Sequence, residues 1–287
     1  MSNDRGKEFR AGAFRLPLGT KTYVMGIVNV TPDSFSDGGQ YLSAQNAETH
    51  ASELVAARAD ILDIGGESTR PGHSPVDCQE EIDRVIPVIR RIAPRFDIPI
   101  SIDTSKARVA REAIESGASI INDVWGLKRD PDIARVAYET RSGLILMFNA
   151  TDASLIEHSG DIVSDAITYL SGSVDIALRA GVSEDQIVLD PGIGFGMNHR
   201  ESFELIKGIA RLKDLGFPVL VGPSRKRFIG AALGGAPVDE RDTGTAAVSC
   251  IAAYMGADIV RVHDVKSVVQ SIIISDILSE KCKFEEV

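Results

Sequence analysis

The stretch Met25-Gly-Ile-Val-Asn-Val-Thr-Pro-Asp-Ser-Phe-Ser-Asp-Gly-Gly39 passes from apolar to polar character within one residue of Asn29. Val24, Ile27, Val28 and Val30 are β-branched and suit a strand buried on both faces. Pro32 ends the ladder, because proline has no backbone donor. Chemistry in this segment therefore starts at Asn29 and continues in a loop holding Asp33, Ser34, Ser36 and Asp37, whose two glycines permit unusual backbone angles. An ordinary strand and turn would look the same in isolation. What separates the two readings is that the design recurs down the chain.

Ile61 to Gly66 breaks into Glu67-Ser68-Thr69-Arg70-Pro71-Gly72, and Ile98 to Ile102 ends in Asp103. Ser119 to Ile121 runs into Asn122-Asp123, and Leu144 to Met147 into Phe148-Asn149. Ile187 to Leu189 ends in Asp190-Pro191-Gly192, Val219 to Gly222 in Pro223-Ser224-Arg225-Lys226, and Ile259-Val260 in Arg261-Val262-His263-Asp264. Helical spacing fills the intervals at about 46–59, 78–95, 107–116, 132–140, 161–180, 202–215, 245–255 and 268–278. In the clearest of these, Ile82, Val85, Ile86, Ile89 and Ile92 form one stripe. Glu80 and Glu81 in its first turn and Arg90 and Arg91 in its last complement the helix dipole.

Eight apolar strands, each followed by a helix, predict an α/β fold, a single (β/α)8 TIM barrel over residues 23–287. Residues 1–22 are a short N-terminal extension whose Leu18-Gly19-Thr20 turn suits a small hairpin covering a barrel end. An open doubly wound sheet would place a glycine-rich phosphate turn after its first strand. Gly192, Gly194 and Gly196 are spaced that way but follow the sixth strand.

A net charge of -10 over 287 residues argues against general nucleic-acid binding, so an anionic ligand needs a local cluster of cations. No apolar run approaches membrane-spanning length, and the first residues carry no apolar signal region, so a cytoplasmic location is expected, with no membrane partner. Cys78, Cys250 and Cys282 lack metal-site spacing. His50, His73, His158 and His199 are scattered without ligand spacing and read as surface residues.

In a barrel the strand ends converge on one mouth, so Asn29, Asp63, Asp103, Asn122, Asp123, Asp190, Lys226, Arg261 and His263 are gathered there. Any one of them alone is equally well a helix cap. Together, at one rim, they favour a polar ligand site, because buried charges are costly unless paired or used. Asp103, Asn122 and Asp190 offer oxygens that match the N–H edge of an aminopyrimidinone ring. Arg261 and His263 point to one side of their strand and suit an anion such as phosphate, with Lys226, Ser224 and Arg225 beside them. Magnesium has a place if Asn29 or Asp37 bridges it to a diphosphate, since that ion takes few protein ligands.

This set resembles the dihydropteroate synthase family, pterin-binding enzymes of folate biosynthesis. The motifs that carry it lie between about residues 22 and 280: Gly26 to Gly39, Asp63 to Gly72, Ser101 to Thr104, Ile121 to Asp123, Asp190 to Gly196, Ser224 to Lys226 and Arg261 to Val265. The resemblance implies a transferase joining 7,8-dihydropterin-6-ylmethyl diphosphate to 4-aminobenzoate and releasing diphosphate. It implies catalytic roles for Asp103, Asp190 and Lys226, ring contacts from Asn122 and Met147, and a diphosphate site at Asn29, Arg261 and His263. It further implies Mg2+ on Asn29 and Asp37, an aminobenzoate and sulfonamide region at Phe35, Thr69, Arg70, Pro71, Phe195 and Lys226, and a homodimer.

Two departures stand out against the family pattern. Phe148 follows Met147 where a histidine is usual, and Met197 follows Gly196 where a lysine is usual. The first removes an imidazole and the second a cation near the loop of Phe195, with weaker capture of aminobenzoate as the expected result. Arg227 likewise replaces a small residue after Lys226. The alternatives are a pterin-binding paralogue without synthase activity and a corrinoid-linked, pterin-dependent methyltransferase. Phe35, Thr69, Arg70 and Ser224-Arg225-Lys226 match the synthase pattern specifically.

Overall fold

Each apolar segment forms a strand in the computed structural model, which describes residues 7–30, 39–67, 76–156 and 158–283. A hairpin comes first, β1 (Glu8–Ala11) paired antiparallel with β2 (Phe14–Pro17). The barrel strands follow: β3 (Tyr23–Asn29), β4 (Ile61–Gly65), β5 (Ile100–Asp103), β6 (Ile120–Asp123), β7 (Gly143–Met147), β8 (Ile187–Asp190), β9 (Leu220–Val221) and β10 (Ile259–Val262). They are parallel neighbours in the order β8-β7-β6-β5-β4-β3-β10-β9. A bridge from Leu189 to Val219, just ahead of β9, closes the ring, with the Leu189 amide donating to Pro218 O at 2.9 Å. The fold is thus the expected (β/α)8 barrel.

The helices are α1 (Gly39–Ala56), α2 (Cys78–Ile92), α3 (Ala107–Glu115), α4 (Asp132–Thr140), α5 (Ile162–Arg179), α6 (His199–Lys207), α7 (Ile209–Lys213), α8 (Arg227–Ala232), α9 (Asp242–Tyr254) and α10 (Val265–Leu278). Three boundaries differ from expectation. The helix α1 starts at Gly39 rather than near 46. The single helix expected over 202–215 is two, α6 and α7, which meet at Gly208. α6 begins early, at His199, because the Asn198 side chain accepts from Glu201 N while Glu201 accepts from Asn198 N, a reciprocal cap that satisfies two end donors. α8, a short helix, also precedes α9.

Period-two alternation sorts the strand residues. Val24, Val28, Leu62, Ile64, Ile102, Ile121, Leu144, Leu146, Leu189, Val221 and Val260 join the large core between strands and helices. The alternate positions Tyr23, Met25, Ile61, Ile120, Ile145, Val188, Leu220 and Ile259 fill the barrel's lower interior. Phe9, Ala11, Leu16 and Leu18 of the hairpin belong to that same inner cluster, so the barrel floor is an apolar plug. Above it, the next inward positions on the same strands are Asp63, Asn122, Met147, Asp190 and Arg261. On β4, β6, β8 and β10 the interior therefore changes from apolar to polar in one step, and that step places the site.

Candidate functional site

Asp63, Asp103 and Asn122, inward residues just above the plug, are linked through one guanidinium. Arg261, on β10, donates from Nε to Asp63 Oδ2 at 2.6 Å and from Nη2 to Asp103 Oδ2 at 2.7 Å. Asp63 Oδ2 also accepts from Asn122 Nδ2 at 3.3 Å. Asp63 is fully buried and Asp103, Asn122 and Asp190 nearly so. Asn29 stands exposed at the end of β3, its Nδ2 3.5 Å from His263 Nε2. The other ring nitrogen, His263 Nδ1, lies 2.8 Å from Ser224 Oγ, which also accepts from the His263 amide at 3.1 Å. Ser224 thus fixes the imidazole from behind.

Lys226 reaches into the same cavity from the turn after β9. Its ammonium donates to Ile193 O and sits 4.6 Å from the centroid of the Phe195 ring, a cation–π contact. Burial pulls the Lys226 ammonium down to about 8, although Asp190 nearby opposes this. Burial likewise raises Asp190 above the usual carboxylate range, against Lys226 and the Gly192 amide. Both members of the pair shift toward neutrality, so desolvation outweighs their attraction. Asp103 is raised as well, because burial and the neighbouring carboxylates Asp63, Glu81 and Asp123 outweigh Arg261.

Asp190 Oδ1 accepts from the Gly192 amide at 2.7 Å. Gly192 has φ +62 and a Cβ there would lie 1.7 Å from Phe148 O, so only glycine lets this turn close beneath the carboxylate. The turn carrying Ser224 and Lys226 is held from α9. Arg225 has φ 55, unusual for a residue with a side chain, and its guanidinium grips Asp242 through Nε at 2.7 Å and Nη2 at 2.8 Å. The Arg225 amide donates to Thr245 Oγ1 at 3.0 Å, and its carbonyl accepts from Arg241 Nη1 at 3.0 Å. Nothing in the sequence pattern marks that clamp.

The strand-end residues Asn29, Asp103, Asn122, Asp190, Lys226, Arg261 and His263 do converge on one mouth, with Met147 and Phe195 in an apolar wall that also holds Val124 and Trp125. Phe35, Asp37, Thr69, Arg70 and Pro71 lie outside the described residues. Three expectations need correction. Arg261 and His263 do not form an open cationic pair in the free protein, since Arg261 is bonded to Asp63 and Asp103. Asp123 faces the helix layer, where it accepts from the Trp125 and Leu127 amides at 2.9 and 2.7 Å. Arg225 adds no free cation, being paired with Asp242.

Both family departures also take on a different meaning. Phe148 is fully buried, packed edge-to-face on Tyr169 at 5.3 Å between centroids in the core outside the barrel. Alternation puts Met147 inside and the side chain at 148 outside. Met197 is half-buried and packs on that same outer core. The sequence places Asp63 among the rim residues without a role of its own, yet it is the hub of the hydrogen bonds.

Fold and mouth together define a (β/α)8 barrel with one polar ligand site at the C-terminal ends of its strands. The family described as pterin binding enzyme matches residues 25–263. The dihydropteroate synthase of Bacillus subtilis (strain 168) is 49% identical over 261 residues, spanning 91% of this chain and 90% of its own. The solved dihydropteroate synthase of Xanthomonas albilineans in complex with 7,8-dihydropteroate superposes with a TM-score of 0.85 at 36% identity, covering 94% of this chain and 98% of that chain. The Yersinia pestis dihydropteroate synthase with a sulfonamide drug gives a TM-score of 0.86 at 38% identity, covering 95% and 99%. This chain belongs to the pterin binding enzyme family and, within it, to the dihydropteroate synthases.

Proposed function

We propose that the chain condenses 7,8-dihydropterin-6-ylmethyl diphosphate with 4-aminobenzoate to give 7,8-dihydropteroate and diphosphate. The observation that carries this reading is the inward set Asp103, Asn122, Asp190 and Lys226, from four different elements, beside the Asn29–His263 pair at the rim. The methylene C–O bond breaks and its electron pair leaves on diphosphate. Asp103 and Asp190 stabilise the positive charge left on the pterin, in a low-dielectric site where such interactions are strong. Lys226, with Asp190 nearby, serves the ring, while Asn29, Arg261 and His263 meet the departing anion. The aryl nitrogen then forms the new C–N bond and loses its proton to solvent or diphosphate.

Phe195 and Lys226, with Phe35, Thr69, Arg70 and Pro71, take the aminobenzoate, and the same region makes the chain a sulfonamide target. Magnesium fits at Asn29 with Asp37. Asn29, exposed at the end of β3, presents a hard amide oxygen, a ligand type that suits an ion taking one or two protein ligands. When bound it neutralises charge on the diphosphate. A homodimer is supported by an apolar face on α9 and α10, where Ile251, Tyr254, Met255, Ile274 and Leu278 are exposed. The free thiols of Cys78 and Cys250 suit a cytoplasmic location. The chain divides at residue 22, the extension being a cover for the barrel floor.

The test is diphosphate release from the pterin substrate with and without 4-aminobenzoate, together with detection of dihydropteroate. Diphosphate without a coupled product, or pterin binding without turnover, overturns the synthase reading in favour of a binding paralogue. Methyl transfer from a methylated pterin would instead favour the methyltransferase.

Two outcomes follow for individual residues. Asp190→Ala should weaken pterin binding by about 1.5–3 kcal/mol, the scale of a charge-assisted hydrogen bond. Calorimetry showing equal affinity would remove Asp190 from the pocket. The Lys226 ammonium is charged below about 8 and neutral above it, with Asp190, Asp103 and Arg261 as its charged neighbours. Hence kcat/KM for the pterin substrate should fall above about pH 8, approaching tenfold per unit. Lys226→Arg, which stays charged, should give a lower but flat profile to about pH 10. An identical descending limb in both proteins would assign it to another group.

A further inference from the structure

Among the described residues, Asp63 is a buried carboxylate in the mouth to which the reaction above gives no task. It is fully buried, and its Oδ1 has no hydrogen-bond partner among the described residues. Everything polar it does passes through Oδ2, which accepts from Arg261 Nε at 2.6 Å and from Asn122 Nδ2 at 3.3 Å. Asp63 lies on β4, Asn122 on β6 and Arg261 on β10, so a single oxygen ties together three strands of the ring.

The chemistry of the three groups constrains their arrangement. A guanidinium only donates, and a carboxylate that receives it is an acceptor. An asparagine side chain has one donating end and one accepting end, and rotation about its last bond exchanges them at almost no steric cost. Only the donating end can face Asp63 Oδ2. The accepting end, Asn122 Oδ1, is then turned away from Asp63. In the reading proposed above, on which this inference rests, the pterin offers N–H donors and therefore needs acceptors from the protein.

We propose that Asp63 is a positioning residue that sets the orientation of the Asn122 amide, so that Oδ1 rather than Nδ2 meets the pterin ring, while holding Arg261 at Nε. A wrongly oriented amide sets donor against donor, which costs more than a missing hydrogen bond. Arg261 Nη2 meanwhile rests on Asp103. Asp63 thereby fixes one ring contact and the diphosphate cation from the same atom without touching either ligand.

The swap of partners tests this. Asp63→Asn replaces the acceptor by an amide that can offer its own N–H to Asn122 and turn it over, so the pterin KM should rise about tenfold or more while the aminobenzoate KM stays within about twofold. Asn122→Asp sets one carboxylate against another and should raise the pterin KM by at least as much. The double variant, Asp63→Asn with Asn122→Asp, restores a donor facing an acceptor and leaves an oxygen for the ring, so its pterin KM should return to within about threefold of the parent.

Losses of the two single variants that multiply in the double show that Asp63 has no orienting role. That outcome overturns the proposal, as does an unchanged pterin KM in Asp63→Asn. Thermal melting of each variant establishes that it is folded. Should Asp63→Asn not fold, Asn122→Asp carries the test, and a loss smaller than about twofold overturns the proposal. If the parent forms no dihydropteroate, the synthase reading fails by itself. The same cycle is then read as calorimetric affinity for 6-hydroxymethyl-7,8-dihydropterin, and absence of coupling there, or of binding by the parent, overturns the orientation role.

Discussion

Arg261→Met should lower the free energy of unfolding by about 3–5 kcal/mol, the cost of leaving buried carboxylates without their cation. The guanidinium bridges Asp63 and Asp103, both at least nine-tenths buried, and no second arginine or lysine among the described residues bonds to either. Methionine matches the length of the stem and removes only the charge and the fork. Surface ion pairs in the same protein, such as Arg211 with Asp161, should each be worth about 0.2–1 kcal/mol by comparison. Urea denaturation of the two proteins checks the figure. A loss below about 1 kcal/mol would mean that the bridge contributes no more than a surface ion pair. Turnover should fall more steeply than stability, because the residue that compensates the carboxylates at rest is also the one offered to the diphosphate.

That dual use explains which parts of the site could be read from the sequence. The strands were legible because β-branched runs such as Val24 to Val30 stop abruptly at polar residues, and eight such stops in one chain leave a barrel as the economical fold. The identities of the mouth residues were legible for the same reason. Pairings between them were not. Arg261 meets Asp63 and Asp103 only because β10, β4 and β5 curve round to share one interior, and a residue's own neighbours in the chain say nothing of that. The hold of Asp242 and Thr245 on Arg225 is hidden in the same way, since it joins a turn to a helix across an intervening helix.

Phe148 shows a different kind of miss. Its place after Met147 suggested a group at the ligand, whereas period-two alternation, applied one residue further, sends it to the outer core against Tyr169. A histidine there would have to be buried beside an aromatic ring rather than meet substrate, so the expectation of weaker aminobenzoate capture has no footing at Phe148. Met197 points the same way, because its side chain packs on apolar residues. The barrel floor was foreseen only as a cover. Its packing was not, because Phe9 sits on a short strand with no long apolar run.

Phe9→Ala should destabilise the fold by about 3–5 kcal/mol, as removal of a fully buried ring leaves a cavity that neighbours only partly fill. The size of the effect follows from where the ring sits, inside the floor cluster with Met25, Ile61, Ile120 and Ile145. Gly143, at the start of β7, is the complementary half of the contact. A Cβ there would lie 2.5 Å from Phe9 Cζ and 3.2 Å from the Ala11 Cβ, so Gly143→Ala alone should cost about 1–3 kcal/mol through overpacking. With Phe9 cut back to alanine the clash disappears and the new methyl occupies part of the cavity. The double variant should therefore be more stable than Phe9→Ala alone, with a coupling of about 1–3 kcal/mol between the two sites. Additive losses in urea denaturation would show that the floor relaxes as a fluid rather than as a fitted plug. The pterin KM should be unchanged in all three proteins, since the floor and the mouth lie at opposite ends of the strands.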